Sequence, residues 1–161
     1  MTYLITFTCY GCHLHGHEEG SVDRRHAVPG SRLMDADPDR VSVERQRMDQ
    51  PQYCMDGPRR EAVLCSIVAR CSERNWNLLA AHVRTNHVHI VVEAEPRPER
   101  VMNDLKSYAS RRLNQLGFDE ADQKRWTRHG STRWLWKPES VSTAIRYVVD
   151  EQGEPLSVYE A

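Results

Sequence analysis

Two histidines stand two residues apart in Asn86-His87-Val88-His89-Ile90-Val91-Val92. Side chains alternate between faces along an extended strand, so His87 and His89 project together while Val88, Ile90 and Val92 point the other way. Two imidazoles at this spacing are close enough to share one divalent metal ion. The flanking valines and isoleucine predict a central, rigid strand, which metal-assisted chemistry requires. The same pair also reads as two surface histidines on a half-exposed sheet. Thr85-Asn86 fits a two-residue hairpin turn. That register pairs Arg84 with His87 and His82 with His89, and puts His82 on the metal face; a slip of one residue removes it.

A tyrosine follows on a predicted helix. Val101, Leu105, Ala109, Leu113 and Leu116 recur at helical spacing, and Tyr108 falls at the edge of their stripe. Lys106, Arg111 and Arg112 lie within about one turn of it. Cations near a phenol favour the phenolate and attract phosphate, as a tyrosine nucleophile attacking a phosphodiester needs. The alternative is an amphipathic core tyrosine beside surface arginines.

Farther on, Trp126, Trp134 and Trp136 interleave with Arg125, Arg128, His129 and Arg133. Aromatics beside cations hold unstacked bases and their phosphates. We assign Arg128, His129 and Arg133 to DNA and the tryptophans to packing. Near the N-terminus, Cys9, Cys12, His13, His15 and His17 include a Cys-x-x-Cys zinc half-site. Cys65 and Cys71 do not supply a second half at comparable spacing, and the other reading is a strand end followed by a histidine-bearing loop beside the DNA.

The elements that must position these groups follow from periodicity. Residues 3–9 predict a strand, 59–74 a helix, 76–83 and 87–94 two strands, 98–116 a helix, 133–136 a short strand and 139–150 a helix. Residues 18–58 are an irregular insertion that can hold short helices around Val41–Met48. The order predicts one α+β domain over residues 1–161: an antiparallel sheet with helices packed on one face, of the ferredoxin-like or split βαβ kind.

The bulk composition agrees. The chain has 161 residues, 39% apolar and 28% charged, which suits one globular core. No apolar run is long enough to span a bilayer, and the first residues lack the pattern of a signal peptide; these features predict a cytoplasmic protein with no membrane partner. Five cysteines in such a chain argue against a disulfide framework. The net charge is −1, yet residues 97–137 hold ten Lys/Arg against five Asp/Glu. This excess fits a local phosphate-binding face, and equally an ordinary solvated surface.

Taken together, His87-Val88-His89 preceded by Asn86, the segment Leu105-Lys106-Ser107-Tyr108, the opening Ile5-Thr-Phe-Thr-Cys-Tyr-Gly11, and Trp126–Trp136 followed by Ala144-Ile-Arg-Tyr-Val-Val149 resemble the single-tyrosine HUH transposases, and more closely the REP-associated tyrosine transposases. The resemblance implies an HUH-nuclease fold and a DNA strand transferase. His87 and His89 would hold Mg²⁺ or Mn²⁺ at a scissile phosphate of single-stranded DNA, and Tyr108 would form a 5′-phosphotyrosine linkage and release a 3′-hydroxyl. It also implies recognition of hairpins beside the cut and a homodimer, with nucleoid association when DNA is bound. In the family a third ligand, Gln or Asn, lies one turn after the tyrosine; Arg112 occupies that place here and cannot bind a metal. Either His82, Asp104 or a residue near Gln152 supplies the missing ligand, or Arg112 contacts the phosphate itself and the metal site is weak. Arg112 also motivates a second reading, a domesticated hairpin-binding protein without cleavage. A third is a zinc-binding interaction module built on Cys9 and Cys12.

Overall fold

A computed structural model describes residues 1–12 and 38–161. The elements are β1 (Thr2–Thr8), α1 (Pro38–Gln46), α2 (Gly57–Glu73), β2 (Asn77–Val83), β3 (His87–Glu93), α3 (Pro98–Gln115), β4 (Ser131–Leu135), α4 (Pro138–Asp150) and β5 (Ser157–Glu160). The five strands form one sheet in the order β4-β1-β3-β2-β5, every neighbouring pair antiparallel.

Each helix has a local reason to start where it does. Asp56 caps α2, its side chain accepting the Arg59 N–H at 3.0 Å, with Pro58 in the first turn. Pro98 and Pro138 open α3 and α4 in the same way. After α3, Gly117 takes a positive φ of 72° that favours glycine.

The sheet is covered on both sides. On one face Tyr3, Ile5, Phe7, Val88, Ile90 and Val92 pack against Val63 and Ile67 of α2 and Val101, Leu105 and Ala109 of α3. On the other, Leu4, Ala80, Val91 and Leu135 pack against Ala144, Ile145 and Val148 of α4. The α+β antiparallel architecture is the one expected. The placement of the helices on one face holds for α2 and α3, whereas α4 covers the opposite face. The reason is in β3, buried along its length from Val88 to Val92: a strand apolar on both faces needs a helix on each.

Candidate active site

His87 and His89 lie on central β3, on the face that α4 covers. The hairpin register is the one the turn predicts: His82 faces His89, and the Arg84 N–H bonds the His87 carbonyl. On the other side, β1 sets Thr6 opposite His89 and Thr8 opposite His87. The two imidazoles stand edge-to-face with centroids 4.8 Å apart.

Both rings are oriented through Nδ1. His87 Nδ1 lies 2.6 Å from Asn86 Oδ1, and His89 Nδ1 lies 2.8 Å from Thr6 Oγ1. A hydroxyl can donate or accept, so His89 can change tautomer without losing this partner. His89 is buried, and desolvation, with a smaller contribution from the neighbouring His87, lowers its pKa to about 4. It is therefore neutral at pH 7, the form that ligates metals.

The tyrosine beside this pair is Tyr147 of α4. Its ring meets that of His89 at a centroid distance of 5.5 Å, and it is 38% exposed. Just past the end of α4, Gln152 lies close enough to the His89 ring to raise its pKa slightly against the larger effect of burial, and its Nε2 donates to the Tyr147 carbonyl at 3.0 Å. Of the three candidate substitutes, the stretch near Gln152 is the one that reaches the His89 ring, through Gln152 itself.

The other two substitutes are used elsewhere. His82 shares the face but is fully buried. Its Nδ1 donates to the Val148 carbonyl at 2.9 Å and its Nε2 accepts the Leu156 N–H at 3.2 Å, so it braces α4. Asp104 lies on α3, ion-paired to Arg70 at 2.6 Å and Arg74 at 2.9 Å.

The structure does not bring Tyr108 to the histidines. Tyr108 is on α3, across the sheet, where its hydroxyl donates to Glu73 at 3.1 Å and Arg70 and Arg111 flank its ring. Arg112 is exposed on the same helix, so its inability to bind a metal has no bearing on this site. Sequence reasoning missed Tyr147 because α3 and α4 each carry a boundary tyrosine, and periodicity does not say which face each helix covers. The signal that could have found it is the Tyr147 to Gln152 spacing, which places an amide just past the helix end.

Residues 50–147 match the family model described as "Transposase IS200 like". The chain belongs to the IS200-like transposase family. Its fold is similar to a solved structure titled as a REP-associated tyrosine transposase bound to a REP hairpin, with TM-score 0.50 and 10% identity over 93% of this chain. The chain spans 65% of the length of that structure. No curated protein matches the chain.

In this IS200-like transposase domain a cleft of about 570 Å³ runs between β4 and α4, lined by Thr6, Ser131, Arg133, Thr143, Tyr147 and Glu151 among others. Of the residues assigned to DNA, Arg133 faces this cleft, and Arg128 and His129 are exposed in the segment leading into β4. Arg111 and Arg112 are exposed on α3, away from the cleft. Lys106 is corrected: it is only 6% exposed, and its ammonium donates to the Thr127 and His129 carbonyls, both at 3.0 Å. Desolvation lowers its pKa to about 8. It latches the 127–129 segment to α3 and does not face solvent.

The tryptophans also divide. Trp126 packs edge-on against Phe7 at 5.1 Å, its indole N–H bonded to Ser110 at 2.9 Å, as assigned. Trp134 and Trp136 are exposed. At the N-terminal cluster, Cys9 is buried and Cys12 partly so, and burial raises both thiol pKa values, that of Cys12 to about 11. Cys54, distant in sequence, lies near Cys12, the Gln52 amide meeting both sulfurs. His13, His15 and His17 fall outside the described residues. Among the described residues no three His, Cys, Asp or Glu side chains are grouped to hold a metal, and no helix is long and apolar enough to cross a membrane.

Proposed function

We propose that this domain cuts and rejoins single-stranded DNA through a covalent tyrosine intermediate, with Tyr147 as the nucleophile. The observation that carries the reading is the approach to His89 of Tyr147, on a helix packed on the same sheet face as His87, and of Gln152 just past that helix's end. Two imidazoles and an amide oxygen make a mixed nitrogen and oxygen set that suits a divalent ion such as Mn²⁺, with Mg²⁺, which favours oxygen, the poorer fit. With Nδ1 engaged in both rings, Nε2 of His87 and of His89, together with Gln152 Oε1, would hold it. When bound, the ion supplies a Lewis acid for a phosphodiester oxygen.

The remaining steps belong to the chain. Arg133 in the cleft binds strand phosphates as a forked donor. The Tyr147 oxygen, its proton given up, attacks the phosphorus and the bond to the 3′ oxygen breaks; that oxygen takes up a proton and the upstream fragment leaves with a 3′-hydroxyl, while the downstream fragment stays on the tyrosine through its 5′ phosphate. A second 3′-hydroxyl attacking that linkage reverses the step, restores the phenol and joins strands. A hairpin beside the cleavage site and a homodimer complete the proposal.

The test is a denaturing gel of the protein with Mn²⁺ and labelled single strands carrying hairpins from the flanks of its own gene. The wild type forms a covalent adduct, Tyr147→Phe forms none, and Tyr108→Phe retains it. An adduct that survives Tyr147→Phe refutes the assignment, and one lost in Tyr108→Phe moves the nucleophile to α3. Hairpin binding with no adduct in the wild type would leave the domesticated binder standing.

A further inference from the structure

The indoles of Trp134 and Trp136 stack in parallel, centroids 5.1 Å apart and planes 9° from each other. Behind them, Tyr3 meets Trp134 edge-on at 4.9 Å. The stack is anchored at one end, since Tyr3 is fully buried, and open at the other, since Trp136 is 70% exposed. Exposing so much of the largest apolar side chain is unusual unless something covers it.

We infer that Trp134 and Trp136 form a stacking platform for an unpaired base of the DNA strand, an inference that rests on the DNA reading of the cleft. Indoles stacked face to face present to the next ring the surface a base offers its neighbour. The flanking chemistry favours a nucleic acid as the occupant. Arg133 and Lys137 bracket the pair in sequence, and both are exposed. Among the described residues neither forms an ion pair. The location favours the same strand that enters the cleft. β4 is an edge strand, with Arg133 and Leu135 lining the cleft on one face and Trp134 beside Tyr3 on the other. A strand leaving the cleft past Arg133 passes around this edge to Trp136.

Binding of labelled oligothymidylate, and of a duplex of equal length, measured by fluorescence anisotropy in EDTA separates this from the chemistry. Trp136→Ala should weaken single-strand binding roughly 5- to 150-fold, the range for one stacked base, and leave duplex binding unchanged; Trp136→Phe should restore part of the loss. Equal single-strand affinity in the wild type and Trp136→Ala overturns the platform. So does a Trp136→Ala protein that changes oligomeric state on a sizing column with single-strand binding intact, which makes the indoles a contact between copies. A wild type that binds no single strand overturns the platform and the DNA reading together, whereas binding without a covalent adduct overturns only the chemistry.

Discussion

His82 donates from Nδ1 to the carbonyl oxygen of Val148, 2.9 Å away, the residue next to Tyr147 on α4. Because a carbonyl only accepts, this fixes the tautomer and leaves Nε2 to take the Leu156 N–H. One buried ring thus ties the tyrosine-bearing helix and the approach to β5 to the sheet. His82→Leu should leave the buried Val148 carbonyl without this partner and cost roughly 1–3 kcal/mol, whereas the Leu156 N–H, nearer the surface, can turn to water. Urea denaturation reads the loss directly, and an unchanged midpoint would mean these bonds do not hold α4.

Acid should destabilise the metal-free protein in a defined window. His89 has a folded pKa of about 4 against an ordinary value of 6.5, so between these values the unfolded chain binds more protons than the folded one. Stability is full above pH 6.5 and is lost as pH falls towards 4, by about 3 kcal/mol in all. Denaturation in EDTA at pH 7 and pH 4.5 checks this, with His89→Gln as the control that should flatten the difference. A wild type as stable at pH 4.5 as at pH 7 would contradict the burial of a neutral ring.

Arg112→Gln should change little. The residue is exposed on α3, on the far side of the sheet from His87 and His89, and surface substitutions of this kind stay within about 0.5 kcal/mol. Adduct yield should match the wild type within about twofold. A large gain in cleavage or in Mn²⁺ affinity would restore α3 to the metal site.

Gly130→Ala should be costly although the change is one methyl group. A Cβ there would lie 2.5 Å from the Thr6 carbonyl oxygen and 2.6 Å from Met102 Sδ. The methionine can move but the β1 backbone cannot, and overpacking of this sort costs about 1–3 kcal/mol. Since Thr6 holds His89, Mn²⁺ binding by calorimetry should weaken along with thermal stability. A variant unchanged in both would show that the 127–130 segment is free to retreat.

Much of this was legible from sequence where local chemistry dictates structure. The His87-Val88-His89 face, the Thr85-Asn86 turn and the pairing of His82 with His89 follow from strand alternation and one turn type. The first four strands and three main helices fall within a few residues of their predicted bounds. What periodicity does not carry is which side of the sheet a helix covers. Tyr108 and Tyr147 sit in equivalent amphipathic settings, and only tertiary packing puts one against Glu73 and the other against His89. β5 escaped notice because four residues give too short an alternation to read. Lys106 looked like a phosphate ligand because its carbonyl partners, Thr127 and His129, lie some twenty residues away.

The family match ends at Tyr147, but the arrangement around that residue does not. Thr6 reaches the site from the first strand, and Gln152 and Leu156 reach it from beyond the last matched position. A gene copy broken just after Tyr147 would keep both histidines and the tyrosine in its reading frame. Its product would lack the amide facing His89, a backbone partner of His82, and β5. Surveys that score such elements by their motif alone will therefore count as intact some copies whose protein has lost the bracing of its own site.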